Sequence, residues 1–207
     1  MAKAMLWPWS SPTSLVNLQG KTVQLRLPQL SDYEQWYALR RGSRDFLRPF
    51  EPRWTEADLA QRVFVTRVKR AREEAEEGTD YSLFIFLPDG RQQTLVGGIT
   101  LSNVRRRAAQ FVNLGYWMGQ QFAGKGLMSE AVATCLPFVF DTLALHRIHA
   151  AFLPGNQASR RVLEKNGFVE EGFAEKYLQI NGRWEDHVLF GLTRERYELA
   201  SFVGRVG

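Results

Sequence analysis

The sequence predicts an α+β domain, and three observations predict it. Residues 21–27 alternate, with Val23, Leu25 and Leu27 on one face and polar residues on the other, as a half-buried strand requires. Strand-like runs follow at 81–87, 94–101 and 110–118, and Pro88, Asp89 and Gly90 between the first two are the turn residues of an antiparallel hairpin. Around these stand helix-like runs, most plainly Met128, Val132, Cys135, Leu136, Val139 and Leu143 at spacings of three and four.

The elements follow in order. Ser31 and Glu34 form a capping-box pair that opens a helix carrying Trp36, Tyr37 and Leu39. Gly42 interrupts it, and two prolines make residues 46–52 (FLRPFEP) irregular. Thr55 to Asp58 is a second cap-like start, and Gly78 ends the charged helix it opens; the basic-then-acidic run at 67–77 reads as a solvated face. Three arginines, 105–107, mark the turn between the second and third strands of the hairpin set. Pro137 should kink the helix after residue 126. A strand at 147–153, a short helix at 156–166 stopped by Gly167, a strand at 168–173 and a hairpin of 177–180 with 184–192 around Asn181 and Gly182 complete the chain.

A length of 207 residues suits one domain, expected over 21–207 after an N-terminal extension over 1–20 that contains Trp7, Pro8 and Trp9. Hydrophobic content of 44% with 24% charged residues is ordinary for a globular protein, and no apolar run reaches the roughly 18 residues of a membrane span. The extension has no continuous apolar segment of the signal-peptide kind. Cys135 is the only cysteine, so no internal disulfide forms; a reducing, cytoplasmic setting is expected, with Cys135 in the core. The net charge of +5 and pI near 9.6 favour an anionic partner, whether a phosphorylated small molecule or an RNA-rich particle.

The most informative stretch is Gln121, Phe122, Ala123, Gly124, Lys125 and Gly126, after a strand and before a helix. Such a loop presents free backbone N–H groups at the positive end of the helix dipole, a site for phosphate or pyrophosphate. Gly124 and Gly126 reach backbone angles closed to other residues, and Lys125 adds charge. No Lys-Ser or Lys-Thr follows the last glycine, which excludes a P-loop, and the spacing is wrong for a dinucleotide fingerprint. A plain tight turn is the alternative.

The loop is similar to the Gln/Arg-x-x-Gly-x-Gly/Ala signature of the GNAT acetyltransferases. The chain resembles the RimJ/RimL type of that family, nearest its ribosomal-protein-alanine branch. The residues carrying the resemblance are 46–52, 114–118 (LGYWM), 121–128 (QFAGKGLM), 146–149 (HRIH), 156–159 (NQAS), 166–168 (NGF) and 180–188 (INGRWEDHV). It covers roughly residues 21–193 and implies a GNAT fold, a mixed, mostly antiparallel central sheet flanked by helices. It also implies acetyl-CoA as cosubstrate, with no metal. The backbone of Trp117 and Met118 would pair with pantetheine, Gln121 to Leu127 would hold pyrophosphate, and Asn156 would meet the pantetheine arm while also capping its helix.

Many GNAT enzymes place a thiolate-protonating tyrosine where this chain has Leu163; Ser159, one turn earlier, matches the serine of the RimL-type pattern and is the expected donor. The glutamates that act as base in other N-terminal acetyltransferase branches fall here on Ala151, or on Leu178 and Gln179. Glu51 is the expected substitute, with Glu171, Asp186 and His187 as further candidates. A site with a weak base favours an α-amine of pKa 7.7–8.0, roughly a tenth to a sixth neutral at pH 7, over a lysine near 10.4, neutral about once in a few thousand. The expected acceptor is therefore a protein N-terminus, alanine or serine on a ribosomal protein, packed among Phe50, Trp54, Tyr177 and Trp184. Two alternatives stay open: a small amine or aminoglycoside as acceptor, and a ribosome-assembly or RNA-binding protein that keeps the fold.

Overall fold

A computed structural model describes residues 16–90 and 92–206. Among these, eight strands form one sheet in the order β1-β2-β3-β4-β5-β6-β8-β7. They are β1 (Asn17–Gln19), β2 (Gln24–Arg26), β3 (Tyr81–Asp89), β4 (Gln92–Arg105), β5 (Phe111–Met118), β6 (Arg147–Phe152), β7 (Val169–Ile180) and β8 (Arg183–Thr193). Every neighbouring pair is antiparallel except β5 with β6. The helices are α1 (Tyr33–Gly42), α2 (Arg44–Leu47), α3 (Gln61–Glu77), α4 (Leu127–Pro137), α5 (Gln157–Lys165) and α6 (Arg194–Val206). The expected mixed, mostly antiparallel sheet with flanking helices is what the chain forms.

The strand period of two divides the core into two layers. In β3, Leu83 and Ile85 point into the larger cluster with Val132 and Val139 beyond α4's side of the sheet. Phe84 and Phe86 point the other way, into the cluster of Trp36, Leu39 and Phe64 beneath α1 and α3. Burial on both faces explains why β3 reads as a near-continuous apolar run.

Several local expectations shift. The cap pair at the first helix is not Ser31 with Glu34: Asp32 accepts from the Gln29 N–H at 2.8 Å and from both terminal nitrogens of Arg26 at 2.8 Å, so a short 3-10 turn precedes α1. Asp32 wins because Arg26, six residues back, holds its carboxylate in place. Residues 46–52 are more regular than two prolines suggest, because Pro49 opens a 3-10 turn where its missing N–H is no loss. Thr55 and Asp58 do cap a turn, the Thr55 N–H donating to Asp58 at 2.7 Å, but α3 starts only at Gln61. On α3 the charge run resolves into exposed pairs such as Arg70 with Glu74 at 2.6 Å. The kink expected at Pro137 is a π-helical turn over Phe138–Thr142. The strand expected at 168–173 and the first arm of the last hairpin are one strand, β7, whose register against β8 slips near Glu170 and Ala174.

Three elements carry no sequence expectation: β1, which pairs with β2 ahead of residue 21, the one-turn helix α2, and α6. Residues 1–15 of the expected extension, with Trp7, Pro8 and Trp9, lie outside the described residues. No described helix is long and apolar enough to cross a membrane. Cys135 is buried in the core, and burial pushes its thiol up to about 12.

Candidate active site

The site arises where the sheet splits. β5 and β6 pair in parallel only from Phe111 with Arg147 to Leu114 with Ala150. Beyond Leu114, β5 continues against β4 as far as Met118, while β6 continues against β8 as far as Phe152. The β5 edge from Gly115 to Met118 is therefore left without a strand partner on one side, and its backbone groups there need hydrogen bonds from something else. A cleft of about 390 Å³ opens along that edge.

The glycine loop closes one wall. Gln120, Gln121 and Phe122 make a 3-10 turn, anchored where the Gln120 N–H donates to the buried Ser43 hydroxyl at 3.0 Å. Gly124 and Gly126 have φ of +75° and +81°, left-handed angles that favour glycine, and a Cβ on either would meet no atom within 4 Å. The space above the loop is thus open to a ligand. Gly126 is the N-cap of α4, and no side chain caps that helix end, so the loop keeps donors for an anion. Phe122, Ala123, Gly124, Lys125, Gly126 and Leu127 all line the cleft. Gln121 does not; it is exposed on the far side of the turn and borders a separate hollow beside Gln35 and Leu39. Arg161 and Lys165, four residues apart on α5, also line the cleft and add two cations that the motif reading did not single out.

Trp117 and Met118 line the cleft as expected, on opposite faces of β5: Met118 packs in the larger cluster and Trp117 in the smaller. Asn156 lines it from the start of α5, where its Oδ1 accepts the Ser159 N–H at 3.0 Å. That confirms the cap, and the Asn156 Nδ2 donates to no described residue. Ser159 lines the cleft, with its side-chain hydroxyl close to the Tyr116 phenol. Leu163, at the family's tyrosine position, is 1% exposed in the core.

Sequence reasoning missed Tyr116. It lines the cleft, its hydroxyl lies 3.4 Å from the Ser159 carbonyl oxygen, and burial pushes the phenol up to about 12. The alternation along β5 was the available signal, since Leu114, Tyr116 and Met118 share one face.

The carboxylates behave differently from the expectation. Glu51 is the only Asp or Glu among the lining residues. Its two oxygens accept from Arg40 at 2.7 and 2.6 Å and one accepts from the Trp54 indole at 3.0 Å. The Arg40 guanidinium is itself stacked between Trp54 and Trp117, 4.9 and 4.8 Å from their ring centres. The Glu51 carbonyl accepts from the Asn181 N–H at 2.8 Å, tying the β7–β8 turn to this wall. Glu171 pairs with Arg147, Asp186 accepts the Lys176 N–H at 2.8 Å, and the buried His187 sits 2.9 Å from the Glu185 carbonyl; none of the three lines the cleft. Of the expected acceptor aromatics, Phe50 lines the cleft and Trp54 packs under Arg40, while Tyr177 and Trp184 stand exposed on β7 and β8.

An open strand edge leading to an uncapped, glycine-lined helix start suits a ligand with an amide-bearing arm and a pyrophosphate, and acetyl-CoA has both. The comparisons agree. Residues 22–169 match the Acetyltransferase (GNAT) domain. The chain is 36% identical over 165 residues to the [Ribosomal protein uS5]-alanine N-acetyltransferase of Escherichia coli, covering 80% of this chain and 81% of that protein. It is 35% identical over 175 residues to the probable N-acetyltransferase YjcK of Bacillus subtilis, covering 84% and 96%. The solved structure of Mycobacterium smegmatis RimJ in complex with CoA-disulfide superposes with a TM-score of 0.80 at 31% identity, covering 91% of this chain and 93% of that one. The chain belongs to the GNAT acetyltransferase family and is an acetyl-CoA-dependent N-acetyltransferase of the RimJ/RimL type.

Proposed function

We propose that the acceptor is the α-amine of a protein N-terminus beginning with alanine or serine, on a ribosomal protein. One observation carries this reading: the sole carboxylate lining the cleft, Glu51, is locked in a bidentate pair with Arg40. Among the described residues lining the cleft, no free carboxylate stands ready to deprotonate a lysine ammonium, and none gathers a polycation. An α-amine, already partly neutral near pH 7, needs no strong base. The name of the Escherichia coli relative and the +5 charge, which favours approach to an RNA-rich particle, support the same reading. The single buried cysteine fits work in a reducing cytoplasm.

The proposed roles follow the walls. Gly124, Lys125, Gly126 and the start of α4 hold pyrophosphate, and Phe122, Ala123 and Leu127 shape the loop around it. Trp117 and Met118 offer backbone groups to the pantetheine arm, with Asn156 Nδ2 as a side-chain donor. The neutral amine attacks the thioester carbonyl carbon; as the carbon–sulfur bond breaks, the nitrogen gives up a proton, and Ser159 Oγ, accepting one proton as it donates another, relays it to the departing thiolate, leaving an amide and a free thiol. Tyr116, neutral at working pH, positions α5 beside that sulfur. Glu51 is a positioning residue: with Arg40 it fixes the wall against which the peptide end lies.

The test offers the enzyme acetyl-CoA with paired peptides. Peptides with a free N-terminal alanine should be acetylated; the same peptides with a blocked α-amine and a free lysine should not. Preferential transfer to lysine, or to aminoglycosides over every peptide, overturns the acceptor assignment.

A further inference from the structure

We infer that a second hollow, behind the acceptor wall, is a recognition pocket for an acidic side chain a few residues inside the acceptor peptide. This rests on the peptide-acceptor reading above. The pocket encloses about 220 Å³, roughly seven water volumes, and is lined by Arg44, Arg48, Pro52, Arg53, Trp54 and Asn181. It has three guanidinium groups and no carboxylate.

The wall between the hollows is a helical partition with two faces. Phe46, Leu47, Phe50 and Glu51 face the cleft, while Arg44, Arg48 and Pro52, spaced by four, face the arginine pocket. The Asn181 N–H bond to the Glu51 carbonyl brings the β7–β8 turn to the same wall, so Asn181 closes the pocket from the hairpin side.

Ion pairing within the protein engages the arginines only weakly, although the Arg44 guanidinium also lies 5.4 Å from the Trp54 ring centre. Arg44 lies 3.9 Å from Glu56, and Arg48 lies 3.9 Å from Asp45, both at the limit of an ion pair. Arg53 makes no ion pair or hydrogen bond among the described residues. Arg40, by contrast, is fully used by Glu51. Three forked donors converging on a hollow without a resident anion match a carboxylate. A peptide whose first residue lies in the cleft must cross the partition, about 10 Å for a helical segment with its side chains. At about 3.3 Å per extended residue, that places the acidic side chain roughly three residues beyond the first, near the fourth position.

The test measures kcat/KM for alanine-starting peptides with glutamate, glutamine or lysine at positions two to six in turn. The expected result is a preference for glutamate over glutamine of about fivefold, the size two exposed ion pairs supply together, centred near the fourth position. In the Arg48→Glu, Arg53→Glu double variant the order should invert, with lysine peptides gaining, a gain that misfolding cannot mimic. Equal rates for all three peptides at every position would overturn the pocket while leaving the N-terminal acceptor reading standing. If no peptide of any charge is acetylated, both fall. If the double variant instead loses retention of an RNA oligonucleotide and shows no change in peptide ranking, the pocket takes phosphate and the inference fails.

Discussion

Replacing Glu51 with glutamine separates a base from a latch. The Glu51 and Arg40 side chains are 17% and 12% exposed, and two charge-assisted bonds of 2.6 and 2.7 Å join them. Glutamine keeps the shape but removes the charge and turns an amide N–H₂ towards the guanidinium. Arg40 then stays between two indole rings without its counter-ion. Removing one partner of a fully buried pair costs about 3–5 kcal/mol, and an exposed pair is worth about 0–1 kcal/mol. Residual exposure here places Glu51→Gln between them, at about 2–3 kcal/mol. With a urea slope of about 2 kcal/mol per molar, the unfolding midpoint should fall by about 1 M. The steady-state signature should be a raised peptide KM with an unchanged pH profile. An unchanged midpoint, together with a kcat loss of about 100-fold and disappearance of an acid limb in the rate profile, would refute the latch and restore Glu51 as the base.

Four other outcomes follow from the geometry. Gly126→Glu puts a charged side chain at φ +81° in the space proposed for the pyrophosphate, so calorimetry should show CoA affinity weakened by at least about tenfold in the folded variant; unchanged affinity would remove the loop from the site. Ser159→Ala should lower kcat by about 100-fold with little effect on the acetyl-CoA KM, whereas Tyr116→Phe should stay within about threefold; the reverse ranking would transfer the proton to Tyr116. Because no free carboxylate lines the cleft, kcat/KM should rise with pH through the acceptor amine's own pKa of about 7.7–8.0, and an acceptor of lower amine pKa should shift the limb by the same amount. Cys135 and Tyr116 both sit at about 12 when folded, against ordinary values of 9.0 and 10.0. Their stabilisation is complete below pH 9 and lost as pH climbs towards 12; urea midpoints should fall across that window, less steeply in Cys135→Ala, and native Cys135 should resist a thiol reagent at pH 8.

How much was legible follows from how local the cause is. The β3–β4 hairpin, the glycine loop and the Asn156 cap were readable because the deciding residues adjoin what they decide. β1 was not: three residues make no period, and Asn17–Gln19 is a strand only because β2 offers an edge. The first cap failed for a similar reason, since Arg26 selects Asp32 from outside the motif. β7 read as two pieces because its slips in register against β8 break the alternation.

The cosubstrate half of the site follows the same rule and the acceptor half does not. Phosphate binding needs backbone donors and glycines within six residues, so the loop announces itself. A general base is instead defined by its partners. Glu51 reads as a base because it stands in the proline-bounded segment expected to wall the acceptor pocket. Arg40, eleven residues away on another element, holds both of its oxygens, which is why we propose an anchor there instead. The positions that carry a glutamate in other branches, Ala151, Leu178 and Gln179, are thus not compensated by a nearby carboxylate. Whatever selectivity the enzyme has against lysine then comes from the acceptor itself: an α-amine and a lysine differ by about 3.5 kcal/mol in the free energy of losing a proton at a given pH. If Glu51 stays locked to Arg40 as proposed, the cleft leaves that difference intact, while a strong base would spend part of it on the wrong substrate.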